Sequence, residues 1–335
     1  MGITCLNLTK PLGVACALLL PAVSAHAQMQ ADPASIWTLQ DENASLSRVK
    51  PRDHFYTNGL RLGWTSPTSM VPDALNELGT ALWGGGQQRI SFDLSQQIYT
   101  PKDTAVAVPD PRDQPYAGLL TGNFSLINDT ADTRSVLTLS LGVAGPAAGG
   151  GDLQNGFHDL IGKAAAKGWN AQIPNTAAVE LLHERTWRVP IGTIGALEAD
   201  ILPALTVGVG DVRDYGQVGV TFRAGQGLAS DFGVPRLRPG LSGGDAYVPT
   251  RPLAWYAFAG VDGQAVAYDL LLQSAPFRSG PHVSPVWDIA EGQAGFAVMA
   301  YGMRLTVAYV VQTQEFHGQP CGIHQFGSVS LSVRF

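Results

Sequence analysis

The stretch Ser328-Val329-Ser330-Leu331-Ser332-Val333-Arg334-Phe335 alternates polar and apolar residues without exception. Successive side chains of a strand point to opposite faces, so Val329, Leu331, Val333 and Phe335 share one face, and Ser328, Ser330, Ser332 and Arg334 share the other. A last strand of this kind, closing on an aromatic residue, reads as the end of an outer-membrane β-barrel. The same period recurs upstream. Leu60, Leu62 and Trp64 alternate with Gly59, Arg61 and Gly63, and Leu137, Leu139, Leu141 and Val143 alternate with Thr138, Ser140 and Gly142. Leu305, Val307, Tyr309 and Val311 repeat the pattern late in the chain. One apolar and one polar face per strand is what a wall between lipid and a polar lumen requires.

The rest of the chain fits that wall. Lys10, the apolar stretch Pro11 to Val23 and Ala25-His26-Ala27 have the order of a secretory signal peptide, so residues 1–27 are expected to leave and 28–335 to form the barrel. Loss of Lys10 moves the net charge from −6 to −7, an acidic balance that argues against nucleic acid as a partner. Cys5 and Cys16 leave with the leader, so Cys321 is alone and closes no intramolecular disulfide. No run of 18 apolar residues follows the leader, which leaves strands as the only means of crossing a membrane.

The periodicity predicts twelve strands, at about 36–46, 56–66, 88–100, 116–128, 134–145, 176–187, 196–209, 215–225, 253–272, 288–301, 303–314 and 325–335. The even count requires 253–272 to be one strand, bulged near Gly260-Val261-Asp262-Gly263. Trp64, Trp255, Tyr256, Tyr301 and Tyr309 are candidates for aromatic belts. With the N-terminus in the periplasm, segments 47–55, 101–115, 146–175, 226–252 and 273–287 are assigned to the outside. Pro72 to Leu82 reads as a small amphipathic helix among the opposite turns.

Within 146–175, Asp152 to Gly162 reads as a short helix with an Asp N-cap and a Gly stop, and it places Gln154 and His158 four apart on one face. Asp41-Glu42-Asn43, Tyr56-Thr57-Asn58-Gly59 and the run from Gln97 to Gly118 come to the same external rim on this topology. Hard oxygen ligands, an imidazole base and amides at one rim are what calcium-assisted ester hydrolysis uses. The bland readings are a packing histidine, a strand-start turn at Asn58-Gly59 and a solvated loop at Asp110-Pro111-Arg112-Asp113. Gly240-Leu241-Ser242-Gly243-Gly244 spells a nucleophile elbow but lies among prolines, without a strand before it or a helix after it. His183-Glu184 lies mid-strand, and Cys321 with His317 and His324 lacks the paired spacing of a zinc site.

The ordered set Glu42-Asn43, Tyr56-Thr57-Asn58-Gly59, Gln97-Ile98-Tyr99-Thr100-Pro101, Arg112 to Gly118, Gly145-Pro146-Ala147, Gln154-Asn155 with His158, and Gln325 to Phe335 resembles the lipid A 3′-O-deacylase family of outer-membrane barrels. The resemblance runs over essentially the whole chain after the leader. It implies a twelve-stranded barrel in the bacterial outer membrane that removes the 3′-linked acyloxyacyl group of lipid A with calcium, acting on lipopolysaccharide. It also implies His158 as the base for water, Asn43, Thr57 and Gln154 as further active-site residues, and Glu42, Asn43 and Thr57 around the metal. The chain departs from the family pattern at Ala44 and Ala164, where acids are expected, and where a basic pair is reduced to Lys102. With Ala44 at the metal position, ligands would be drawn from Asp41, Glu42, Asp53 or Asp113. The alternative from another class is a non-catalytic barrel, either porin-like or a degenerate homologue that binds lipopolysaccharide without cutting it.

Overall fold

In the computed structural model, strands of alternating character pair in chain order until the last meets the first. The structure describes residues 31–46, 54–237, 244–275, 279–319 and 323–335. The leader, Asp53, Cys321 and Gly240 to Gly243 therefore lie outside the described residues. The first seven strands are β1 (Ile36–Asn43), β2 (Phe55–Thr65), β3 (Gln87–Thr100), β4 (Ala117–Asp129), β5 (Thr133–Ala144), β6 (Thr176–Trp187) and β7 (Val189–Ile194). The rest are β8 (Leu197–Gly210), β9 (Arg213–Gln226), β10 (Leu253–Asp269), β11 (Asp288–Ala300), β12 (Met303–Thr313) and β13 (Ile323–Arg334). All pairings are antiparallel, and β1 closes the sheet on β13 from Ile36 opposite Arg334 to Asn43 opposite Gly327. β6 and β7 lie end to end along the same edge of β8, interrupted at Arg188, so they form one stave and the barrel has twelve.

Parity sorts the side chains as the alternation demands. Leu139, Leu141 and Leu305 are exposed on the outer face, where Leu137, Val307 and Val333 also point, while Thr138 and Ser140 line the lumen. Tyr256 is the exception among the expected belt aromatics. Its neighbour Trp255 faces out, so Tyr256 faces in, fully buried, and its hydroxyl donates to Asp231. β10 is a single strand as expected, but its ladder is regular through Gly260-Val261-Asp262-Gly263 and slips instead between Val266 and Tyr268. Asp262 and Gln264 stay buried in the lumen on alternate positions, so the extra residue is absorbed beyond them.

The connection between β9 and β10 corrects the assigned topology. β9 runs antiparallel to β8 and ends on the side of the β11–β12 turn, opposite the 146–175 loop, so the 226–252 connection leaves and returns on the side opposite the assigned one. Tyr247 donates to the carbonyl of Gly302 in that turn, and Arg334 donates to the carbonyl of Tyr247. From that end the described residues 227–237 and 244–247 lie inside the barrel. Arg223 meets Asp200 at 2.6 Å and Asp231 at 2.7 Å, and Arg304 meets the second oxygen of Asp231 at 3.1 Å. Higher up, Arg236 lies 3.0 Å from Glu42 and 2.8 Å from Glu291, while Asp245 grips Arg61 at 2.6 Å. Taking such charges out of water is costly unless each finds a partner, and these carboxylates and guanidiniums meet one another. A cavity of about 230 Å³ remains on the β3–β9 side.

Two helices flank the wall. α1 (Asp73–Trp83) fills the β2–β3 connection, and its Trp83 indole donates to His183, which explains that mid-strand histidine as a packing residue. α2 (Gly150–Leu160) lies at the opposite end. It starts two residues before Asp152 and is preceded by Gly149 at φ 70 rather than capped by the Asp side chain. Pro146 opens a 3-10 turn just upstream, and glycine takes the left-handed conformation that joins it to the helix.

Candidate active site

α2 is amphipathic in the reverse of the usual sense. Its buried stripe is Gly150, Gln154 and His158, and its exposed stripe is Leu153, Phe157 and Leu160, continued by Ile161. A surface helix normally buries its apolar side. This one turns Gln154 and His158 to the protein and an apolar stripe away, beside the exposed Asp152 and Asp159, as an amphipathic helix lying at the membrane interface would.

What the polar side rests on is the outer face of the wall. Gly150 packs on Gly118 of β4, where a Cβ would fall 3.1 Å from the Gly150 nitrogen, so both glycines permit the close approach. Ile98 of β3, Tyr116, Ala166 and Trp169 form one buried cluster beside it. Burial holds the Tyr116 phenol up at about 12, so it stays neutral and serves packing. The loop after α2 folds back underneath, fixed where Asn155 both donates to the Ala166 carbonyl and accepts from the Ala166 amide.

This cover sets the two candidate side chains. His158 is 3% exposed, and its Nδ1 lies 2.8 Å from the carbonyl oxygen of Ala164. A carbonyl can only accept, so a neutral imidazole carries its proton on Nδ1 and presents its lone pair on Nε2. Ala164 thus orients the histidine through its backbone. Gln154 is 5% exposed, and its Oε1 accepts from the Trp169 indole at 2.8 Å. That bond fixes the amide and leaves Nε2 buried with no hydrogen-bond partner among the described residues. An unsatisfied buried donor is costly, and an oxyanion is a group that would satisfy it.

The residues of the first strands separate by face. Thr57 is the unpaired residue of a bulge in β2, and its hydroxyl lies 2.7 Å from that of Thr100, two residues beyond Ile98. Asn43 and Asp41 lie on the outward parity of β1; Asn58 donates to Asp41 at 2.7 Å, and Asn43 accepts from the Ser45 amide. Glu42, between them, points into the lumen and is fully buried. There it accepts from Arg236, Tyr56 and the Leu237 amide. The structure therefore does not bring Glu42 together with Asn43 and Thr57, because adjacent strand residues face opposite ways. As a set, Glu42, Asn43 and Thr57 do not fit one calcium ion through their side chains, and among the described residues no three His, Cys, Asp or Glu side chains are grouped to hold a metal. Asp41 is the carboxylate on the same face as Asn43.

Sequence reasoning missed Trp169, Thr100 and the Ala164 carbonyl. Trp169 lies in a 3-10 turn outside any periodic segment, and a backbone carbonyl leaves no trace in residue identity. Thr100 stood in the Tyr99-Thr100-Pro101 motif and could have been matched to Thr57 by pairing across the β2–β3 register. Asp113 accepts from the Lys102 amide within its own loop, and Asp110 and Arg112 pair on the exposed surface, as in a solvated turn.

A closed twelve-strand wall, apolar outside and polar within, with a reversed amphipathic helix on its flank, defines an outer-membrane β-barrel whose candidate site faces lipid. Residues 12–335 match the family described as outer membrane protein LpxR, and the chain belongs to that family. Among solved structures it is similar to LpxR from Salmonella typhimurium, at 20% identity and TM-score 0.73, covering 90% of this chain and 100% of that one. It is also matched, at 10% identity and TM-score 0.42, to the β domain of the Bordetella autotransporter BrkA, covering 90% and 98%. None of the curated proteins matches the chain.

Proposed function

We propose that the protein is a hydrolase of the outer membrane that removes the 3′-linked acyloxyacyl group of lipid A, with His158 as general base for water. The observation that carries this reading is the orientation of α2. Gln154 and His158 lie one turn apart beneath the helix, against the wall, while Leu153, Phe157 and Leu160 face outward, so an ester would reach them sideways from the lipid leaflet. In that pocket His158 Nε2 would take a proton from water attacking the ester carbonyl, and the Gln154 amide would donate to the oxygen on which charge develops. The Thr57 and Thr100 hydroxyls lie at the same external corner of the wall, as polar contacts for the sugar. The resemblance to lipid A deacylases supplies the substrate, and family membership supports it.

The calcium implied by that resemblance would, when bound, polarise the ester carbonyl. The side-chain geometry favours Asp41 over Glu42 as its carboxylate, with Asn43 beside it, and no step above passes through the metal. A passive pore draws no support from the lumen, where the 227–237 and 244–247 segments are tied into buried ion pairs.

The test is mass spectrometry of lipid A from cells with and without the protein. The expected result is a new species lighter by the 3′ acyloxyacyl group, diminished on Gln154→Ala by about 100- to 1,000-fold in rate. Unchanged lipid A in cells carrying folded protein would overturn the proposal.

A further inference from the structure

On the opposite side of β1 from α2, the outer face of β11–β13 is dented. The dent has a volume of about 570 Å³, within the range of about 300–1,000 Å³ typical of small-ligand clefts. Its floor is made by Ala294 and Gly327, small residues on a face where other strands carry Leu, Phe or Val. Phe296, Val307 and Val329 form its walls. The fourth side is Leu46, which belongs to the 3-10 turn that follows β1 and folds back over β13. A Cβ on Gly327 would fall 2.6 Å from the Leu46 Cβ, so glycine is what lets the turn lie there. The turn is held in place by the Asn43 side chain, which accepts from the Ser45 amide. At the external end the groove becomes polar, where the Tyr309 hydroxyl donates to Gln325 at 2.7 Å.

An open apolar channel with a polar rim at one end matches the amphipathic form of a lipid. Both β12 and β13 have their external ends here, and Leu46 lies in the external β1–β2 connection, so the groove opens to the outer leaflet. Bulk lipid covers a smooth wall without needing a lip, whereas here a structured turn is laid across the strands to build one. We infer that this groove seats one acyl chain of lipopolysaccharide, with the sugar of that lipid at the Tyr309–Gln325 end. The inference needs only the outer-membrane placement and does not depend on hydrolysis at His158.

The barrel extracted in mild detergent from outer membranes and analysed by native mass spectrometry should retain one lipopolysaccharide molecule per chain. Ala294→Trp fills the floor and removes the packing contacts of the chain there, which should lower the retained fraction by about tenfold or more. Val298→Trp, outward on the same strand but below the groove, should retain the lipid. Ala294→Phe serves as a milder block if the Trp variant does not become heat-modifiable on gels. Retained phospholipid in place of lipopolysaccharide, no retained lipid in the wild type, or undiminished retention in a folded Ala294 variant would each overturn the inference. His158→Ala should retain the lipid, so loss of hydrolysis and loss of the groove are read separately.

Discussion

The lumen and the flank beneath α2 are both polar, buried and built from strands of one sheet, yet they treat their polar atoms differently. In the lumen, Asp231 answers Arg223, Arg304 and Tyr256, and Glu42 answers Arg236 and Tyr56, so the charges neutralise one another. Under α2, Gln154 has one amide atom fixed by Trp169 and the other without a partner among the described residues, and the Ala164 carbonyl orients His158. Paired charge holds a wall together, whereas the flank under α2 sets neutral side chains, with the Gln154 Nε2 as a donor beside the His158 imidazole. Stability should therefore reside in the first region and chemistry in the second.

The largest way to break that contrast is at Asp231. Asp231→Ala leaves Arg223 and Arg304 buried without their shared carboxylate, and removing one partner of a buried ion pair costs about 3–5 kcal/mol. Urea unfolding in bilayers should show that loss, while the rate per folded molecule holds. A folded Asp231→Ala barrel without activity would move the chemistry into the lumen.

Next in size is the lipid face. Leu139→Arg should cost about 2–4 kcal/mol in the same titration, whereas an Arg at Ser140, one residue on and facing the lumen cavity, should cost less. Equal costs would mean that the two faces are not distinguished as described.

Ala44 sharpens the question of the metal. It is fully buried in the turn after β1, so Ala44→Asp buries a carboxylate at a cost of several kcal/mol unless a cation answers it. The variant's melting temperature should fall in chelator and recover with calcium, the wild type showing the smaller dependence. Equal calcium response in both would show that position 44 is not at a metal site.

The smallest effect is expected at Trp169. Trp169→Phe removes the bond that orients Gln154, which is worth about 0.5–1.5 kcal/mol and hence about 2- to 13-fold in rate. In a Gln154→Ala background the same change should do nothing further, because it acts through that amide. Additive losses would separate the two residues.

The wall was legible because a period of two is written into most strands, and the closing β13 follows from it; the single β10 follows from the even strand count, and β7, the continuation of the sixth stave, was not foreseen. What the alternation could not reveal was how the connections fold. The 226–252 segment carries prolines and charges that resemble an external loop, and only counting the direction of β9 places it at the other end; only its partners, Arg61 and Glu42 among them, place it inside. At the site, Gln154 and His158 stood out by their spacing on one helix face. Glu42 and Asn43 stood together in sequence yet part in space, since neighbours on a strand never share a face. Orientation by the Ala164 carbonyl is invisible in sequence because every residue has one.

The claim that chemistry lies beneath α2 is tested most directly by measuring deacylation of lipid A and the urea midpoint on the same purified His158→Ala sample. Loss of a general base should slow the reaction by about 100- to 10,000-fold, and the unfolding midpoint should stay near that of the wild type because no hydrogen bond of the strand ladder is removed. Undiminished deacylation by the folded variant would contradict the account, and so would a loss of activity that merely tracks a loss of fold.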